Sequence, residues 1–228
     1  MCFTPQVSFL IFTIEWILGF IVLHKAGKAR ERRVYSLSAL ILFLLGFYQF
    51  TQFMLCVSGK ADLWGRMGFL AYNFLPLLGF HLAAALTRNR QYLEKVKYYY
   101  IIPAFFSLFP LLSPGFIGKA ECSAVFIVVE HSWNALWAWS YAVYYFLFIV
   151  LAALMLWNAV KAEKSKGRRR VMAAGLSGML AFTVPAFILI IILPALKIAF
   201  PSILCEFALF FAISVFWMMH LMEESGHK

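Results

Sequence analysis

Polar side chains interrupt the apolar runs of this 228-residue chain, and those with chemistry to offer are Glu15, Gln49, Gln52, Asn73, His81 and Glu206, with Ser140, Tyr141 and Thr183. Two amides stand three residues apart in "GFYQFTQFML", Gly46 to Leu55. On a helix, Gln49, Gln52 and Cys56 share one face by their i, i+3, i+7 spacing. Amides, a carboxylate and neighbouring aromatics such as Tyr48, Tyr72, Trp137 and Tyr141 are the ingredients of an apolar pocket with a few convergent polar groups. The expected ligand-binding set is Gln49, Gln52, Asn73, Tyr141 and Glu206. The competing reading is interhelical hydrogen bonding with no ligand. Glu15 and His81 form a second candidate, a buried polar pair able to relay a proton or to act as acid and base.

Those residues need a scaffold, and composition defines it. The chain is 64% hydrophobic and only 13% charged. A soluble domain is nearer half apolar and about a quarter charged. The expected fold is an all-α integral membrane protein. Seven runs are long enough to span, at about 3–24, 34–57, 63–87, 97–117, 134–160, 171–193 and 199–221, given that a span takes roughly 20 residues. None shows the period-2 alternation of barrel strands. The expectation is a single seven-transmembrane-helix domain over 1–228.

The charge of +10 is clustered between the apolar runs, which fits loops facing anionic headgroups and excludes no-membrane nucleic-acid binders as the first choice. With the N-terminus outside, sixteen of the 20 basic residues fall in inner loops 25–33, 88–97, 161–170 and the tail. Lys60, Arg66, Lys119 and Lys197 remain outside. The bias predicts a cytoplasmic C-terminus and an odd number of spans. The first basic residue is Lys25, so residues 3–24 read as a retained helix rather than a signal peptide. The implied location is the plasma (inner) membrane, multi-pass, with membrane lipid as a partner and no nucleic acid.

Residues 113–133 form the one long outer loop, and the β-branched "SAVFIVV" within it predicts a strand pair or hairpin. Pro103 and Pro110 predict a kink in the fourth run, and Pro76 and Pro185 predict bends in the third and sixth. Ala174 and Gly178 make a small-xxx-small pair, read as intramolecular packing ahead of a dimer seam. The cysteines Cys2, Cys56, Cys122 and Cys205 map to the outer side, and Cys56 with Cys122 is the disulfide candidate. No spacing suggests a metal, a cofactor or a catalytic motif, so no catalytic residue is assigned. Pro5-Gln6 has no counterpart near the fifth run, which argues against a repeat-built sugar carrier.

"LWGRMGFLAYNFLPLLGFHLAAALT" resembles the third helix of the seven-helix N-terminal sensor regions of bacterial histidine kinases, with Trp64, Arg66 and Pro76 at the matching points. "RRRVMAAGLSGMLAFTVPAFILIIILPALKIAFPSILCEFALFFAISV" resembles their last two helices. The resemblance covers most of the chain in helix count, topology and loop size. It implies a sensor that faces outward, binds a small-molecule or lipid ligand, and signals through the last helix to a cytoplasmic partner. No kinase module lies within these residues; after "HLMEESGHK" the expectation is a separate cytoplasmic signalling partner or further sequence. The alternatives are a small-molecule or ion transporter, a membrane-embedded lipid-modifying enzyme using Glu15 and His81, and a structural assembly factor.

Overall fold

The computed structural model describes residues 4–27, 29–122, 127–131, 134–192 and 200–226, with side chains over 6–27, 29–117, 134–185, 188 and 207–224. Nine helices are described: α1 (Thr4–Ala26), α2 (Arg32–Val57), α3 (Ala61–Asn73), α4 (Leu75–Leu86), α5 (Arg90–Tyr99), α6 (Ile101–Leu112), α7 (Ala135–Ala162), α8 (Lys166–Ile192) and α9 (Phe200–Gly226). Two strands, β1 (Ile117–Cys122) and β2 (Ile127–His131), lie between α6 and α7. Five segments are long and apolar enough to cross a membrane: Gln6–Ala26, Arg32–Val57, Ala61–Leu86, Ala135–Ala162 and Phe207–Glu224. Helices dominate because a backbone surrounded by hydrocarbon must bond to itself. The outer surface agrees: Phe20, Leu108, Leu112, Trp139, Leu154 and Trp217 all point away from the bundle.

Two predicted kinks are full breaks. Pro76 has no N–H, so the carbonyl of Tyr72 loses its usual donor. The helix stops at Asn73, Tyr72 O accepts from Phe74 N–H, and α4 restarts with Pro76 in its first turn. The fourth run likewise divides at Tyr100, three residues before Pro103, into α5 and α6. Pro110 sits inside α6 without ending it. The basic stretch 88–97, expected as a loop, is largely helical. Asn89 caps α5 by accepting from Tyr92 N–H, and Val96 is its buried anchor, so an amphipathic helix forms where charge alone suggested coil.

α1 and α2 are joined by an aromatic seam. Phe12 meets Phe50 at 5.1 Å and Phe20 meets Phe43 at 4.9 Å. Gly46 makes room for Trp16: a Cβ there would lie 2.4 Å from Trp16 Cδ1. α8 and α9 form a second tight pair. A Cβ on Gly178 would lie 2.4 Å from Ser214 Oγ, and that hydroxyl donates to Ala174 O at 2.8 Å. The small-residue pair of α8 thus packs on α9 of the same chain. The two pairs meet directly, through Lys25 with Glu223 and Tyr35 with Met219, and α4 packs on α7 through contacts such as Phe80 with Phe148 at 5.5 Å.

β1 and β2 pair antiparallel, with Ile117 opposite His131 and Cys122 opposite Ile127. Ile117 seats against Gly65 of α3, and Phe116 packs on Phe69 and Phe109. The hairpin is therefore anchored to α3 and α6. Arg66 reinforces that corner: it binds Asp62 at 2.8 Å and donates to Pro110 O.

Gly178→Val places two methyl groups where Ser214 already stands, and overpacking of this kind costs about 1–3 kcal/mol. Gly79→Ala is the control, since its Cβ meets only Met179 Cε at an ordinary 3.7 Å. In detergent, Gly178→Val is expected to lower the melting temperature clearly and Gly79→Ala to leave it unchanged. Equal melting of both variants would contradict the α8–α9 seam.

Candidate functional site

The break at Asn73 is held by side chains. Asn73 is fully buried. Its Nδ2 donates to Pro103 O at 2.7 Å and to Ser107 Oγ at 2.9 Å, and Ser107 Oγ donates to Pro103 O at 2.8 Å. From α7, the Tyr144 hydroxyl donates to Asn73 O at 2.7 Å. One residue thus ties together the end of α3, the first turns of α6 and the middle of α7. Asn73 Oδ1 is buried without a partner among the described residues.

Around this knot lies a buried lattice of tyrosines. Tyr48 of α2 meets Tyr72 of α3 at 5.3 Å, edge to face. Tyr72 meets Tyr141 and Tyr145 of α7, each at 6.4 Å. Phe69 and Phe106 each meet Tyr141 at 5.2 Å, and Phe106 stacks on Tyr144. Of these, Tyr141 alone belonged to the expected ligand set. The signal for its companions was present: Tyr141, Tyr144, Tyr145 and Phe148 fall at i, i+3, i+4, i+7, a stripe for one buried face. Ser107 and Thr51 were also missed. Short hydroxyls leave no period in a sequence, although both prove buried.

The glutamines lie one step round the helix from that lattice. Gly68 of α3 packs on Tyr48 and Thr51, so that face of α2 meets α3. Gly46, Phe50 and Phe53 face α1. Gln49 and Gln52 fall between these faces, on the stripe that continues outward from Ile41 and Leu45. Both amides are almost wholly buried, and Gln52 Oε1 has no partner among the described residues. Ile41 and Leu45 line a small central cavity of about 40 Å³ with Pro76, Tyr145, Phe182 and Phe211. The stripe therefore faces the bundle interior.

Register locates what stands opposite. The Tyr35 hydroxyl reaches Met219 O at 3.5 Å, and Leu45 shares its cavity with Phe211. α2 and α9 therefore run antiparallel with a steady offset. Continued at the helical rise, the level of Gln49 falls at about residue 206 of α9. The side chain of Glu206 lies outside the described residues.

The remaining candidates separate. Glu15 is fully buried on α1, beside Gly46 of α2. His81 is on α4, with Nδ1 3.1 Å from the Tyr100 hydroxyl between α5 and α6. The structure thus engages His81 with Tyr100 and sets Glu15 in the α1–α2 seam. Cys56 is in a disulfide. The side chains of Cys2, Cys122 and Cys205 lie outside the described residues, so the expected pairing with Cys122 does too. Among the described residues, no three His, Cys, Asp or Glu side chains are placed to hold a metal.

Comparison with models of protein families finds no match for this chain. Comparison with curated proteins finds none either.

Tyr144→Phe removes one buried bond to the Asn73 carbonyl and is expected to cost about 0.6–1.7 kcal/mol, the range of interhelical hydrogen bonds in membranes. Asn73→Leu removes two donors at once and is expected to cost more. Urea or thermal unfolding in detergent measures both; an Asn73→Leu protein as stable as wild type would refute the knot. Peptide mapping without reductant is expected to recover Cys56 cross-linked to Cys122, and recovery of a free Cys56 thiol would contradict the disulfide.

Proposed function

We propose that this is a membrane-embedded sensor. In this reading seven segments span the membrane, with the N-terminus outside and the C-terminus in the cytoplasm of a bacterial cell. A small or lipid-like ligand enters the outer half beside Gln49, Gln52 and Glu206, with Asn73 and Tyr141 in the supporting wall. The observation that carries this reading is the inward-facing glutamine stripe, with the buried Gln52 Oε1 lacking a partner among the described residues. A buried amide oxygen without a donor is costly, and a ligand hydroxyl or ammonium would satisfy it.

The packing supports a switch. α8 and α9 touch each other far more extensively than either touches the rest. They can shift as a pair against α2 to α7 if a ligand favours one of two positions, since differential affinity is what moves such an equilibrium. The central cavity leaves room between α2, α4, α7, α8 and α9 for that motion. At the basic end, Lys25 holds Glu223 of α9 at 2.9 Å, so movement of α9 reaches the surface where a cytoplasmic partner would dock.

A transporter would need a polar path through both halves. Beneath the glutamines the interior is lined by Ile41, Leu45, Leu75, Phe182 and Phe211, which counts against it.

A thermal-shift screen of amphipathic metabolites and lipids on purified protein tests the sensor reading. Compounds that stabilise wild type are expected to lose their effect on Gln49→Leu, Gln52→Leu and Glu206→Gln, while the unliganded variants stay folded. Undiminished stabilisation of all three variants would overturn the site. A fluorescent-protein fusion at the C-terminus is expected to fluoresce, as only a cytoplasmic end allows; a dark, full-length fusion would reverse the topology.

A further inference from the structure

The opposite, basic end of the bundle holds a cleft of about 750 Å³. Five helix ends converge there: α1 through His24 and Lys25, α2 through Tyr35, α4 through Leu86, α8 through Arg168 and α9 through Glu223. Arg30, Glu31 and Arg88 complete its charged wall, while Ala29, Val171, Met172 and Met222 give it an apolar floor. Four permanent cations thus face two carboxylates across one depression.

Three of the four cations are held in ion pairs. Lys25 binds Glu223, Arg88 binds Glu31, and Arg168 binds Glu163 at 3.5 Å while donating to Leu86 O at 3.4 Å. Arg30 has no ion-pair partner among the described residues. The positions of Arg88 and Arg168 come from backbone ends that are themselves fixed. Arg88 sits at φ 53°, in the left-handed region, after the last turn of α4. Arg88 N–H bonds Ala85 O, and Asn89 N–H bonds Ala84 O, which closes the helix in a Schellman turn. That position ordinarily takes glycine, because the Cβ of an L side chain there crowds the following carbonyl oxygen. The arginine side chain at this position pairs with Glu31 and lines the cleft, so the strained backbone places a guanidinium at its rim. α2 and α8 start at the cleft while α1, α4 and α9 end there, so the helix dipoles largely offset one another and the positive field comes from the side chains.

From this geometry we infer that the cleft is a binding site for a phosphate-bearing anion, either a lipid headgroup or a soluble phosphate ester. Guanidinium groups bind phosphate through paired, charge-assisted hydrogen bonds. Arg30 and Arg168 would contact the phosphate, Arg88 would flank it, and the apolar floor would take a glycerol or acyl portion. Glu223 competes with the anion for Lys25. Occupancy therefore loosens the tie between α1 and the last helix. The site needs no ligand in the outer half and stands apart from the sensor reading.

Intrinsic tryptophan fluorescence during melting, at fixed ionic strength, provides the test. In one arm the protein sits in phosphatidylcholine nanodiscs and sn-glycerol 3-phosphate is titrated. In the other, part of the phosphatidylcholine is replaced by phosphatidylglycerol. A rise in melting temperature in either arm supports the site, and the responding arm identifies the source. Arg30→Gln and Arg168→Gln are expected to weaken the response about tenfold each. Arg88→Gly relieves the backbone cost, so it is expected to fold as well as wild type and still bind more weakly. Glu223→Gln is expected to bind the anion more tightly, the reverse of what loss of a merely structural ion pair would do. No rise in either arm, or a rise that Arg30→Gln and Arg88→Gly leave unchanged, overturns the proposal.

Discussion

The architecture depends on keeping the backbone hydrogen-bonded where prolines have removed donors. In hydrocarbon no water substitutes for a missing N–H, so each helix break must be repaired from within the protein. Pro76 and Pro103 open two such breaks in neighbouring segments, freeing the carbonyls of Tyr72 and Tyr99 from their usual donors, and Asn73 braces the two broken segments against each other. Its amide covers the Pro103 carbonyl, and its own carbonyl is covered by Tyr144. The orientation of α4 relative to α6 and α7 follows from these bonds. So does the lattice of tyrosines, because Tyr72, one residue before the break, is placed to meet Tyr48 on one side and α7 on the other.

This fixed middle contrasts with the two flanking pairs. α1 clings to α2 through interleaved aromatic rings, and α8 clings to α9 through Gly178 and Ser214. In a bilayer, apolar side chains gain little by leaving lipid, so association rests on close packing and interhelical hydrogen bonds. α8 and α9 have both with each other. Toward α2 and α4 they border a cavity, bounded by Gly79, Phe182 and Phe211. The difference in fit between these two faces is the physical basis for treating α8 and α9 as the part that moves.

Much of this was legible in the sequence, for reasons that can be stated residue by residue. Composition and run length identify a helical membrane bundle, and two of the four prolines singled out, Pro76 and Pro103, mark places where helices break, whereas Pro110 and Pro185 lie inside continuous helices. The glutamine spacing correctly marks one buried stripe of α2, because burial follows the helical period. The period cannot say what lies across the stripe. The Asn73 amide is engaged by the Pro103 carbonyl thirty residues away in sequence and by the Ser107 hydroxyl, and a backbone acceptor carries no sequence signature. The helix over the basic stretch 90–99 was hidden for a related reason. Its charge suggested a loop, whereas a single cap at Asn89 and one buried valine suffice to fold it against the bundle.

The claim on which the functional account turns is the placement of Gln49 level with residue 206 of α9 inside the bundle. Site-directed cross-linking measures it directly. Gln49→Cys with Glu206→Cys, in a chain whose other cysteines are serine, is expected to react with a short bis-methanethiosulfonate to give an internally bridged monomer. Phe53→Cys with Glu206→Cys, which places one thiol on the face toward α1, is expected not to bridge. Bridging by the second pair and not the first would mean that the glutamines face away from the last helix, and the proposed site would have no carboxylate within reach.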